Sequence, residues 1–432
     1  MIAKEMGKLM AEPAPMVLND GSTLWKKPLT LRLGALALTL AFASVVEHLL
    51  IALGLADGGW IHDRGWIFKP RTETEFVSSE FRHKVITSGQ GLRDHDYAIP
   101  APPNTLRIAV VGDSLTYGWG VELDETWVKQ LEAQLKAAYP GKNVEVVNLG
   151  KPAGDPNSYL PVCEMVLPRL KPDLLIIGLT QGDDLIQLAL LNQIPSDQKR
   201  PNPAVRIAET LFPITTKQVK QRFRPDSHEI LASLRFQAKN LLGKFDPASR
   251  KRYEALDSEV RDQFEHGLIN PILVDVGCRH PEFYGKTLNR ESDIMAAAAR
   301  ELPRTLKRFD ALCRRFDTPW MVVSVPYGLY VSPEALQGRR RLGYRMPDDM
   351  LKTEVAERIV KAACDGAGVP FVSVTEAIRR LKTPGAYYPL DGHPTAIGQA
   401  QFARLLKPEI SSRFEVMAKG HPRNEHQARI AR

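Results

Sequence analysis

The 432-residue chain has little of what usually announces a special architecture. It holds four cysteines, Cys163, Cys278, Cys313 and Cys364, with no Cys-x-x-Cys pair and no histidine at metal-ligand spacing beside them. That argues against a disulfide scaffold and a structural zinc site. The histidines His48, His83, His95, His228 and His280 show no i, i+4 metal pattern. Neither a Gly-x-Gly-x-x-Gly run nor a Walker sequence is present, so no motif speaks for a nucleotide, and no cofactor is expected. Internal repeats and low-complexity tracts are missing too. Charge of one sign is scarce: 58 Lys+Arg against 50 Asp+Glu leave a net +8. Spread over this length, that bias does not by itself argue for a nucleic-acid partner. What is there, 44% hydrophobic and 25% charged residues, fits a globular protein. It excludes disorder, collagen and a polytopic membrane protein as readings of the whole chain.

A long apolar run stands near the N-terminus. Residues 33–46 read LGALALTLAFASVV, and after Glu47-His48 the run resumes as LLIALGLA to residue 56. Together these supply the roughly 20 residues needed to cross a bilayer. This polar pair costs a few kcal/mol at the bilayer centre but less toward one end, where side chains can snorkel. Lys4, Lys8, Lys26, Lys27 and Arg32 precede the run. The positive-inside rule therefore makes 1–32 a cytoplasmic segment and 33–56 a signal anchor, with everything after it outside the cytoplasmic membrane, periplasmic in a Gram-negative cell. Trp60 and Trp66 would then sit near the outer interface. The alternatives are a signal peptide cleaved near Ala41-Phe42-Ala43 and a buried core helix.

Residues 57–104 are polar and irregular and end in IPAPPN, which reads as a linker. From there strands and amphipathic helices alternate. LRIAVVG (106–112), NVEVVNLG (143–150), DLLIIGL (173–179), WMVVSVP (320–326) and VPFVSV (369–374) are short apolar runs rich in β-branched residues. Such runs suit strands buried on both faces. TWVKQLEAQLKAAY puts Trp127, Leu131, Leu135 and Ala138 on one helical face; further helices are expected around 296–316, 350–367 and 396–406. About five strands with intervening helices imply an α/β fold with a doubly wound parallel sheet over 105–410, with chemistry at the carboxyl ends of the strands. Over 185–292 the alternation gives way to a mainly helical, charged insertion, long enough for a lid. Its basic run, 217–252, reads as a solvated helix face or as a surface for an acidic ligand or anionic lipid. Residues 411–432 form a basic tail.

Directly after the first of these strands comes Gly112-Asp113-Ser114-Leu115. A serine that opens a helix at a strand end presents its hydroxyl at the mouth of the sheet, with backbone N–H groups aimed at a developing anion. Serine is nearly inert at neutral pH without a base, so a nucleophile there requires a histidine held by a carboxylate. After the last strand stands Tyr387-Tyr388-Pro389-Leu390-Asp391-Gly392-His393-Pro394, in which Asp391 can orient His393 within one turn. Each residue also has a plain structural reading. Ser114 could be a helix N-cap, His393 a satisfied core or surface histidine, and Asp391 an Asx-turn residue. Tyr117 and Trp119, behind Ser114, could be packing or an aromatic wall for a sugar or acyl group.

The Gly-Asp-Ser-Leu run after the first strand, paired with Asp391-Gly392-His393-Pro394, resembles the SGNH or GDSL hydrolase superfamily over about 105–406. Ser88-Gly89-Gln90-Gly91-Leu92-Arg93-Asp94 and Gly118-Trp119-Gly120-Val121 resemble its membrane-anchored bacterial branch. The resemblance implies a flavodoxin-like three-layer α/β/α fold and a catalytic triad of Ser114, His393 and Asp391. It also implies an oxyanion hole built from Ser114, a glycine after the second strand, and an asparagine in a Gly-x-Asn-Asp block. Gly154, followed by Asp155, is the preferred glycine and Gly150 the fallback. In the third block the chain reads Gln181-Gly182-Asp183-Asp184, so Asp183 stands where the family has asparagine. An ionised carboxylate cannot donate to an oxyanion, and one lost donor costs about 100- to 1,000-fold in rate. Protonation of Asp183, favoured by like charge beside Asp184, donation from the Gly182 N–H or the Gln181 amide, or a slow enzyme would each reconcile the difference. Otherwise Asp183 and Asp184 are turn or N-cap residues.

These expectations describe a membrane-anchored serine hydrolase of acyl esters outside the cytoplasm, with O-acetylated cell-surface polysaccharide as a substrate the resemblance suggests. An O-acyltransferase with the same triad and a binding protein on a decayed hydrolase fold are the alternatives; a phosphodiesterase fits the same fold. No metal is expected.

Overall fold

The computed structural model describes residues 29–52, 66–193, 203–216 and 227–420. Two compact units divide the chain, one of residues 1–61 with 200–224 and one of 62–199 with 225–432. In the smaller unit, helix α1 (Leu29–Ala52) carries the apolar run; it is long and apolar enough to cross a membrane, and its side chains, such as Leu38 and Phe42, are exposed. Lys4, Lys8, Lys26, Lys27 and Trp60 lie outside the described residues.

In the larger unit the stretch read as an irregular linker contains a hairpin of β1 (Glu73–Val77) and β2 (Arg82–Ile86), with Val77 opposite Arg82. Glu73, Glu75, Arg82 and Lys84 occupy outward positions, so little apolar alternation shows in the sequence, while His83 and Val85 point inward and are buried. Trp66 packs on the core of this unit. Arg93 and Asp94 are buried as well. The Arg93 guanidinium donates to the carbonyls of Tyr117, Gly118 and Val121 at 2.8, 2.6 and 2.5 Å, and Asp94 accepts from the Asn148 N–H at 2.7 Å. This stretch is therefore part of the domain that follows it.

β3 (Thr105–Gly112) leads to α2 (Ser114–Tyr117) and α3 (Trp127–Ala138); β4 (Asn143–Gly150) to α4 (Pro156–Leu170); β5 (Leu174–Thr180) to α5 (Asp183–Gln193). The insertion is divided between the units: α6 (Pro203–Leu211) groups with α1, whereas α7 (Ser227–Gly243), α8 (Pro247–Glu254), α9 (Ser258–Glu265) and α10 (Pro271–Arg279) belong to the larger one. Asp246, Asp257 and Asn270 cap α8, α9 and α10, and a proline opens α8 and α10, which is why this stretch breaks into short helices. Residues 217–226 of the basic run lie outside the described residues; farther along it, Arg235 and Arg250 bond the carbonyls of His266 and Leu242. The chain returns through α11 (Asp293–Arg315), whose Leu302, Leu306, Phe309 and Cys313 form one buried stripe, to β6 (Trp320–Val325). α12 (Pro333–Arg341), α13 (Val355–Ala367), β7 (Phe371–Ser373), α14 (Thr375–Leu381) and α15 (Ala396–Gly420) complete it. α15 runs past the expected boundary at 410, and 421–432 lie outside the described residues.

The five strands β3 to β7 are parallel in the order β4-β3-β5-β6-β7, the flavodoxin-like arrangement. Residues 108–111 and 175–177 have no exposed surface because helices cover both faces. α3 and α15 pack together in one layer, and α11 packs on α4, α5 and α13 in the other. The four cysteines are buried free thiols.

Candidate active site

The ends of β3 and β4 are shaped to receive the turn that carries Ser114. Gly112 and Gly150 pair across the sheet. A Cβ on Gly150 would stand 2.2 Å from the Tyr117 N, and one on Gly112 would stand 2.2 Å from the Thr116 Oγ1, so only glycine lets α2 settle on the strand ends. Asp113, not Ser114, is the N-cap: its carboxylate accepts from the Leu115 N–H at 2.9 Å. Ser114 is the first residue of the helix, half-buried, and its N–H has no acceptor among the described residues. Arg93, bonded to the carbonyls at 117, 118 and 121, holds the turn from behind.

The Asp-Gly-His segment is a tight loop closed by the Tyr388 N–H on the His393 carbonyl at 2.9 Å and the Gly392 N–H on the Tyr388 carbonyl at 2.8 Å. Gly392 takes φ +82°, a left-handed conformation that glycine adopts without strain. The loop sets His393 between two partners. Its Nε2 lies 2.7 Å from the Ser114 Oγ, and its Nδ1 is hydrogen-bonded to the Asp391 carboxylate, which also accepts the His393 N–H at 3.3 Å. Burial works against the imidazolium, but the Asp391 charge, its hydrogen bond and the nearby Asp113 outweigh it and raise the His393 pKa above the ordinary histidine value. Burial pushes Asp391 the other way, yet His393 and Arg339 hold its carboxyl below the usual range.

The other strand ends differ in what they offer. The Gly154 N–H donates to the Lys151 carbonyl at 3.0 Å and the Gly150 N–H to the Asn148 Oδ1 at 2.9 Å, so neither glycine donor is free. Asp183 opens α5, accepts from the Gln187 Nε2 at 2.7 Å, and has its pKa raised by burial against the counteracting Gln187, His393 and Arg339. Asp184 is fully buried, accepting from the Tyr159 hydroxyl and the Thr180 N–H at 2.7 Å each. Burial and the charge of Asp113 raise its pKa well above the usual value. Gln181 is buried with neither amide atom hydrogen-bonded. Among the described residues no group of three or more His, Cys, Asp or Glu side chains could hold a metal.

Tyr117 is packing: it is buried, its ring meets Phe68 edge-on at 5.6 Å, and Arg93 lies over it. Trp119 stands 4.8 Å from the Phe76 ring and lines a cleft of about 680 Å³. Phe76 and Phe81 from the hairpin and Leu231 and Leu234 from α7 form the cleft's apolar walls; Asp391 also borders it, and Glu73, Glu75 and Lys84 add charge.

No family model matches the chain, and no curated protein matches it. Solved structures similar to it include LAE5, an alpha/beta hydrolase enzyme from the metagenome of Lake Arreo, at 12% identity and TM-score 0.34, covering 69% of this chain and 92% of that one. TesA is 14% identical with TM-score 0.31, covering 70% and 96%. Axe2, an acetylxylan esterase from Geobacillus stearothermophilus, is 14% identical with TM-score 0.34, covering 70% and 93%.

Two residues outside every motif hold the Asp391 loop. Glu80, at the hairpin turn, accepts from the Leu390 N–H at 2.8 Å and the Asp391 N–H at 2.7 Å. Arg339, buried on α12, donates to the Asp391 carbonyl at 2.8 Å and bonds the Tyr327 hydroxyl, which itself donates to that carbonyl at 3.1 Å. The rings of Tyr284, Tyr327 and Tyr344 surround its guanidinium at 5.6–5.7 Å. No local pattern could have revealed either, because their partners are backbone groups of residues about 50 and 310 positions away in the chain.

Proposed function

We propose that the chain is a serine hydrolase of acyl esters, of the SGNH type its motifs resemble, with Ser114 as nucleophile, His393 as base and then acid, and Asp391 orienting the ring. The observation that carries this reading is the unbroken file from the Ser114 Oγ through both ring nitrogens of His393 to the Asp391 carboxylate. As the Oγ attacks the ester carbonyl carbon, its proton passes to Nε2. The oxyanion faces the Ser114 N–H, the first of its helix and without another acceptor among the described residues. The alcohol leaves with the proton from Nε2, and a water, deprotonated by the same nitrogen, frees the acid from the acyl-enzyme. Burial raises the Asp183 pKa from the ordinary carboxylate value, a shift toward the protonated form, the one in which a side chain at the family's asparagine position can donate to the oxyanion.

The proposed substrate is an O-acyl ester of a cell-surface polysaccharide, outside a membrane that α1 crosses with its N-terminus in the cytoplasm. Trp119 supplies an aromatic face of the kind that receives sugar rings. One observation favours acyl transfer as a second reading: α7 brings Leu231 and Leu234 to the cleft beside the triad, an apolar cover that limits water. Ser114→Ala should abolish turnover of a small acyl ester by the purified full-length protein, and unchanged turnover would overturn the triad. An acceptor-dependent excess of acylated sugar over free acid would identify transfer.

A further inference from the structure

We propose that residues 203–216 bind the lipid surface of the bilayer as a second membrane contact, held against α1 by Glu47. The proposal rests on reading α1 as membrane-crossing. Glu47 is the acidic residue that interrupts the apolar run, five residues before the last residue of α1, or about 7.5 Å along its axis. Its carboxylate accepts from the Ile214 N–H at 2.7 Å, the Thr215 N–H at 3.3 Å and the Thr215 hydroxyl at 2.5 Å. Those two N–H groups open the helical turn 213–216 and have no intrahelical acceptor of their own. A carboxylate in an apolar helix and two orphan N–H groups thus satisfy one another, which matters most where water is scarce.

The segment that delivers these donors has the surface of an interfacial helix. On α6, Ala204, Ile207, Ala208 and Leu211 fall at i, i+3, i+4 and i+7, one apolar stripe. Ile207 is 60% exposed and Leu211 45% exposed. Across the Glu47 contact, Val45 and Leu49 on α1 are exposed as well. Exposed apolar side chains on α6 and on the membrane-crossing helix to which its following turn is bonded are matched by lipid. The turn then lies toward the outer end of α1, and the insertion is tied to the membrane surface at its first half.

The test uses full-length protein in vesicles of phosphatidylcholine and phosphatidylglycerol, with or without doxyl-labelled lipid. Cysteine is introduced singly as Leu49→Cys, Ile207→Cys or Leu211→Cys and labelled with an environment-sensitive fluorophore; the four native thiols are buried. Doxyl lipid is expected to quench the labels at 207 and 211 to about half the extent at 49, as for a helix about 5–10 Å into the headgroup boundary. Glu47→Ala should lower quenching at 207 and 211 and leave it unchanged at 49. Quenching at 49 alone overturns the second contact while keeping the anchor. No quenching at 49 overturns the anchor and this proposal with it, and quenching at 207 and 211 that survives Glu47→Ala overturns the role of Glu47.

Discussion

At the scale of single residues, the proposed chemistry hangs on proton positions that can be read from pH. Ser114 needs a neutral His393, and burial is outweighed at that ring by Asp391, so its pKa is raised. Activity should therefore be lost as pH falls through a value above the ordinary histidine pKa of about 6.5. Asp183 donates to an oxyanion only while protonated, a form that burial favours by raising its pKa, whereas an amide donates whatever the pH. Asp183→Asn restores a donor at every pH. Its expected outcome is a kcat increase of about 10- to 100-fold near neutrality, within the roughly 100- to 1,000-fold worth of such a donor. An unchanged kcat would remove Asp183 from the oxyanion site and leave Gln181, buried with its amide unpaired, as the side chain with hydrogen bonds to give. The meeting of Ser114, His393 and Asp391 was legible in the sequence because a serine-hydrolase reading demands those residue types and each stands in a short contiguous motif. The state of the Gly154 N–H was not, since it depends on the turn closed by the Lys151 carbonyl.

At the scale of elements, the five parallel strands were legible because strands buried on both faces are nearly continuous apolar runs. The β1–β2 hairpin was not, because its outward positions are charged and its inward face is completed by residues far away in the chain. Among them is Trp119, whose ring stands 4.8 Å from Phe76 and 5.6 Å from His83. The hairpin matters to the site through Glu80. Glu80→Ala removes both acceptors from the Leu390 and Asp391 N–H groups, hydrogen bonds to a charged group worth about 1.5–3 kcal/mol each. Arg339 and Tyr327 still hold the Asp391 carbonyl. The expected result is a kcat about 10-fold lower, less than the full loss of one such bond, with KM unchanged because Glu80 does not line the cleft. Glu80→Gln, which keeps one acceptor oxygen, should fall between. A rise in KM with kcat unchanged would instead assign Glu80 to substrate binding.

At the scale of the whole molecule, the weak positive balance and the length of the chain resolve into parts. The lysines before α1 are those that the positive-inside rule reads as orientation, and the described basic residues Arg235 and Arg250 bond backbone carbonyls within the insertion. The insertion itself was legible as helical, but its division between two units was not, since α6 is set apart by contacts with α1 that sequence spacing does not encode. The proposed chemistry centres on Ser114 at the end of β3. The most direct test is to treat the full-length protein with a fluorophosphonate and map the adduct by mass spectrometry. The account predicts one modified residue, Ser114, with labelling lost in His393→Ala; an unmodified Ser114, or an adduct carried elsewhere, would contradict it.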